Sequence, residues 1–209
     1  MKIASFGSAQ NDISNSITHI DNNIYLCGGF RNTISFGNIN LSSAGERDGF
    51  LAVLDTNLAV INAVSFGGPQ MEEAFRVKAE KEDVFVVGSF QAGCDFTTSE
   101  NSYKPITIGQ IDAYITKYDK EANWVWTQTL GGFDDNLALG IDITDSTIFT
   151  SGLFTISSSF DSVYGLNSNL TNAGFNGFIA ELKDCHISTA LAFNEGRLHT
   201  SERRKVSMV

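Results

Sequence analysis

Short apolar runs separated by polar turn clusters fill the chain, and the same runs return at a fixed distance. Ile24-Tyr25-Leu26-Cys27-Gly28-Gly29-Phe30 returns as Val84-Phe85-Val86-Val87-Gly88-Ser89-Phe90 and as Ile148-Phe149-Thr150-Ser151-Gly152-Leu153-Phe154, displaced by 60 and then 64 residues. Ser5-Phe6-Gly7-Ser8 returns at the same offsets as Ser65-Phe66-Gly67-Gly68 and Thr129-Leu130-Gly131-Gly132. A lone phenylalanine follows each time, at Phe36, Phe96 and Phe160. The run from Asp48 to Asp55 returns from Asp112 to Asp119 and from Asn176 to Lys183, at 64 and 64. The four-residue length change therefore falls between the lone phenylalanine and this run. Four anchors in one order establish internal repetition, which outranks any local reading.

Each unit predicts four short strands, in the first copy at about 16–20, 24–30, 49–54 and 60–66. Asp21-Asn22-Asn23, Glu82-Asp83 and Asp145-Ser146 supply turn chemistry between the first two strands, because short polar side chains tolerate unusual dihedrals. The second strand is apolar on both faces at Ile24, Tyr25 and Leu26, which predicts burial between layers. The third alternates, with Phe50, Ala52 and Leu54 sharing a face, and Lys117 and Glu181 predict a partly wet opposite face. Residues 71–82 suit a helix by composition, but their repeat partners contain Asn, Gly and Thr, so a strand is expected. The recurring Gly28, Gly88 and Gly152 are expected where backbones approach closely.

Four strands per repeat predict an all-β fold of propeller-type, four-stranded antiparallel blades in three repeats of 60–64 residues. The expected boundaries are 1–7 for a leading strand of an incomplete blade, 12–68, 72–132 and 136–196 for three blades, and 197–209 for a basic tail or the start of a further blade. Residues 1–6 match a fourth strand, and residues 184–193 supply the same strand to the third unit. Propellers typically need four to eight blades, so three predict an incomplete ring or one closed by oligomerisation. A β-sandwich or solenoid is the alternative.

On these residues the chain resembles the bacterial SBBP, or β-propeller, repeat proteins. Leu130-Gly131-Gly132, Asp134-Asp135, Ile148-Phe149-Thr150-Ser151-Gly152, Phe160 and Asn176-Gly177-Phe178-Ile179-Ala180 carry the likeness, which spans about residues 5–196. Ser8 after Gly7, Pro69 after Gly67-Gly68, and Asn176 in place of Asp48 and Asp112 depart from the pattern. The resemblance implies a secreted or cell-surface setting and no single shared activity.

Composition narrows the function. The 209 residues carry 14 basic and 24 acidic side chains, a net charge of -10, which disfavours nucleic acid and anionic membrane surfaces. Residues 197–209 alone carry +3, a pattern that fits a frayed tail or docking on an acidic partner. No stretch reads as a signal peptide or a membrane span. The three cysteines, Cys27, Cys94 and Cys185, exclude a dense disulfide framework. Cys27 is expected to be a buried small hydrophobe and Cys94 to be exposed. His19, His186 and His199 lack the paired spacing of a zinc site.

Candidate ligand-binding residues are the loop acids Glu72, Glu73, Asp134 and Asp135 and the pair Trp124 and Trp126. The acids follow the glycines of their units, so a ring would gather them on one side. Oxygen ligands there suit Ca²⁺, although no EF-hand spacing is present; no other cofactor is expected. Trp124 and Trp126, two apart on one strand, are expected to face the same way and to pack, or to offer a sugar- or protein-contact surface. Together these features predict a non-catalytic binding or scaffolding module. The alternatives are a carbohydrate-active enzyme using loop carboxylates and a structural fragment of a longer surface protein. Expected partners are a second copy or missing blades, with a protein or glycan ligand.

Overall fold

The computed structural model describes residues 1–97, 102–145, 147–160 and 168–183, of which 156–160, 168–173 and Lys183 are described by their backbone alone. The predicted fourth strand of the third unit, the Phe160 side chain, Cys185, His186, His199 and the basic tail lie outside the described residues. Within them every regular element is a strand: β1 Ile13–Ile20, β2 Asn23–Phe30, β3 Thr33–Phe36, β4 Ile39–Ser42, β5 Asp48–Asp55, β6 Val60–Phe66, β7 Glu73–Glu80, β8 Asp83–Phe90, β9 Asp112–Asp119, β10 Trp124–Gly132, β11 Asn136–Thr144, β12 Thr147–Phe160 and β13 Ser168–Lys183. The fold is all-β, and no helix among the described residues is long and apolar enough to cross a membrane.

The strands build several antiparallel sheets. One runs β1-β2-β5-β6, and another runs β11-β12-β10-β9-β8-β7 with β13 pairing β12. The larger sheet divides at a short junction, where only Gly131 and Gly132 of β10 pair with Ser159 and Ser158 of β12. The first three meanders thus begin at β1, β7 and β11, and we refer to them as the first, second and third units. A separate hairpin of β3 and β4, absent from the sequence-derived strands, turns at Gly37, whose φ of 63° favours glycine.

Sheet-on-sheet stacking makes the core. Tyr25, Cys27, Leu51 and Val53 of the first unit pack on Ala74, Val84, Phe90, Tyr114 and Tyr118 of the second. Phe85, Val87 and Ile115 on the second unit's other face pack with Ala138 and Ile148 of the third. Covering both faces explains why β5 and β9 are buried at seven of eight positions. The expected wet face at Lys117 is therefore corrected. This lysine is 5% exposed, its Nζ lies 2.8 Å from Asp83 Oδ2, and it sits 5.4 Å from the Phe85 ring centroid. An ion pair and a cation–π contact compensate the ammonium for lost water.

The glycine expectation holds in detail. A Cβ on Gly28 would fall 1.8 Å from Ile13 O, on Gly88 1.9 Å from Glu73 O, and on Gly152 1.8 Å from Leu137 O. Beside each glycine the first strand bulges, between Ser14 and Ser16, Ala74 and Arg76, and Ala138 and Gly140. The bulge presses a carbonyl over the glycine, where any side chain would collide.

Neighbouring units are joined by one recurring contact. Gly67 bridges Asp95, and Phe66 stacks on Phe96 at 5.3 Å. At positions 60 earlier, Gly7 bridges Ser35 and Phe6 lies 5.1 Å from Phe36. Lys2 Nζ donates to Asn57 Oδ1 (2.6 Å), much as Asn62 Nδ2 donates to Glu121 O (2.8 Å). The leading segment thus rests on the first unit as β6 rests on the second. Phe36 and Phe96 are both buried.

Candidate functional site

Carboxylates at equivalent positions fold back on the loops that precede their strands. Asp48 opens β5 and accepts the Ala44 N–H at Oδ2 (2.9 Å). Asp112 opens β9 and accepts the Ile108 N–H at Oδ2 (2.7 Å). Both are buried, and each needs a glycine opposite: a Cβ on Gly67 or Gly131 would fall within 2.7 Å of the respective carboxylate. A second acid clamps the next loop. Glu72, fully buried, accepts the Gly68 N–H at Oε2 (2.7 Å) and the Gln91 N–H at Oε1 (3.3 Å). Asp12 does the same 60 residues earlier, accepting from Ser8 (2.6 Å) and Arg31 (3.2 Å). In the third unit Asn136 takes this place. Its Nδ2 donates to Asp134 O at 2.7 Å, and its Oδ1 is buried without a partner.

Burial sets the electrostatics of this cluster. It pushes the Asp48 carboxyl up to about 6 and Glu72 up to about 7, with the nearby Asp48 charge adding to the second shift and backbone N–H donors opposing both. The Cys94 thiol is raised well above its ordinary value by burial, then by Glu72, Asp48 and Asp95. Cys94 is fully buried, which corrects the expected exposure. Gly93 before it has a φ of 91°, which favours glycine.

A pH dependence follows. Both acids have folded values above their unfolded ones near 4, so folding takes up protons. Stability is fully present below the unfolded values and declines as pH rises through about 6 to 7. Urea midpoints are expected to fall between pH 5 and pH 8, by an amount corresponding to about 1 kcal/mol for Asp48 and about 2–3 kcal/mol for Glu72. Glu72→Gln should flatten that slope; an unchanged slope would contradict the assignment.

The sequence candidates separate in space and in role. Glu73 receives Arg47 Nη1 at 2.7 Å and Asn15 Nδ2 at 2.6 Å, so it ties the second unit to the first. Asp134 and Asp135 lie half-buried in the connection between β10 and β11, where their main chains are engaged. Asp135 O accepts the Thr155 N–H (3.1 Å), and the Asp135 N–H donates to Thr155 Oγ1 (3.0 Å). Trp124 and Trp126 do not face the same way, contrary to the alternation rule. A bulge at Val125 pairs them with adjacent residues, Tyr118 and Lys117, and so turns them to opposite faces. Trp124 stacks on Tyr103 at 5.4 Å toward the first unit, and Trp126 packs edge-on to Phe85 at 6.1 Å toward the third.

Sequence reasoning did not single out Asp12, Asp48 and Asp112 as site residues, although Asp12 stands 60 residues before Glu72 and Asp48 stands 64 before Asp112. His19 is exposed. Among the described residues no group of three or more His, Cys, Asp or Glu side chains is placed to hold a metal ion. The chain matches no protein family model, and no curated protein matches it significantly.

Proposed function

We propose that the chain is a non-catalytic binding or scaffolding module built of propeller-type repeat units, as the resemblance to SBBP repeat proteins implies. The observation that carries this reading is the use of the loop acids. Glu72 is consumed by two backbone N–H groups and Glu73 by Arg47 and Asn15, so both serve to hold loops and units in place. The tryptophans pack on opposite faces rather than forming one platform for a sugar ring. Such a body presents loops on a rigid stack of sheets, which is the economy of a binding scaffold.

A glycan array run beside a glycoside hydrolase and lyase screen tests this reading. Saturable capture without turnover is the expected result. Turnover lost in Asp134→Asn or Asp135→Asn would establish a carbohydrate-active enzyme instead.

A further inference from the structure

The third unit leaves open a face that both earlier units have covered. On the side turned to the next unit, Tyr25 and Cys27 of β2 stand beside Val53 and Leu51 of β5. In the second unit Phe85 and Val87 of β8 stand likewise beside Lys117 and Ile115 of β9. All eight are buried, because the following unit lies on them. The equivalent positions of the third unit are Phe149 and Ser151 of β12 beside Glu181 and Ile179 of β13. None of these four is buried. Ile179 is 52% exposed, where Leu51 and Ile115 are 0% and 1%.

In both earlier units the cover begins with the first strand of the next unit, at fixed steps from a glycine. Val77 and Ala79 of β7 stand ten and twelve residues after Gly67, and they pack in the cluster that holds Leu51. Ile141 and Ile143 of β11 stand ten and twelve after Gly131, and they pack in the cluster that holds Ile115. Gly196 is the third such glycine in the repeat reading, which gives the place beside β13 to residues 184–193. Ten and twelve residues after Gly196 stand Val206 and Met208. Lys205 falls at the place of Arg76, which is exposed. Arg203 falls where Ala74 and Ala138 are buried, and its long stem can carry the charge past the rim of the face. Charge also favours the contact: residues 136–196 hold six acidic side chains and one basic, a net -5, against +3 for residues 197–209.

We propose that residues 197–209 dock on the third unit of their own chain, in the place that β7 takes on the first unit and β11 on the second. Val206 and Met208 then cover Ile179, while Lys205 and Ser207 alternate with them and turn outward. A single strand with a polar outer side thus caps the stack where a fourth unit would otherwise follow, as the ends of repeat arrays require. This inference rests on the repeat reading proposed above, but its experiment reads the cover of one residue, so its failure leaves ligand capture to be judged separately.

Isoleucine methyl NMR with a soluble gadolinium chelate tests it, because the chelate relaxes only the methyls it can approach. In the whole chain Ile179 is expected to be shielded, while Ile17, 65% exposed on the first unit, relaxes freely. Truncation after Gly196 should raise the relaxation of Ile179 about fivefold or more, as expected when a buried isoleucine becomes half exposed. Val206→Asp should do the same without shortening the chain, and Ile17 should be unchanged in both variants. Ile115, beneath the third unit, should stay shielded throughout. The proposal is overturned if Ile179 is as accessible as Ile17 in the whole chain, or if its shielding survives the truncation or Val206→Asp. Shielding lost on dilution from about 200 µM to about 5 µM would assign the cover to a second copy and overturn it too. An accessible Ile115 would overturn the repeat stack itself, and the inference with it.

Discussion

Phe96→Ala is expected to lower the unfolding free energy by about 3–5 kcal/mol, measured by chemical denaturation. Phe96 is fully buried where the outer strand of the first unit meets the second. Its ring stacks on Phe66 at 5.3 Å and lies edge-on to Phe90 at 5.4 Å and Tyr114 at 4.8 Å. Three aromatic rings hold that position from different elements, so the surroundings cannot collapse into the space left by truncation. The cavity term then adds to the lost transfer energy. A change under about 1 kcal/mol would contradict the packing described.

Gly88→Ala should cost as much, about 3 kcal/mol or more, through a different mechanism. The added methyl would sit 1.9 Å from Glu73 O and 2.7 Å from the Tyr114 hydroxyl, which itself donates to that carbonyl at 3.2 Å. Relief requires moving the bulged backbone of β7, and with it the Glu73 contacts across to the first unit. Gly37→Ala provides the contrast. Its φ of 63° disfavours alanine, yet nothing lies within 4 Å of the new methyl, so a loss of about 1 kcal/mol is expected. Equal melting temperatures for Gly88→Ala and wild type would show that the first strand does not press on β8.

The legible part of the fold was the part fixed by steric necessity. A residue with no side chain must stand under each bulge carbonyl, and a large ring must fill each junction, so Gly28, Gly88, Phe36 and Phe96 advertised themselves at constant offsets. The helix-like composition of residues 71–82 yielded to that register, and β7 stands there. What remained hidden were features that insert a residue or bury a charge. The bulge at Val125 breaks alternation without any compositional sign, and so the tryptophans part company. Lys117 looked like a solvent residue because period-two reasoning knows one sheet at a time; the third unit covers its second face, and Asp83 receives the charge. The clamp acids were hidden differently. Glu72 read as a loop acid free to bind a ligand, and only the three-dimensional return of the loop reveals that it accepts from Gly68 and Gln91.

The connection between the second and third strands of a unit has one further consequence. In the first unit it carries the β3–β4 hairpin, and the next copy of the repeat is longer there by four residues, yet β5 and β9 pair with β2 and β8 in the same register, Gly49 with Gly29 and Ala113 with Ser89. The strand register is thus the same for both lengths of this connection. Because loop closure grows costlier by only about 0.6 kcal/mol per doubling of length, the tip of this connection at Gly37, where nothing lies within 4 Å of an added Cβ, is a grafting site: foreign peptides could be displayed there while Ala44 and Arg47 keep their partners Asp48 and Glu73.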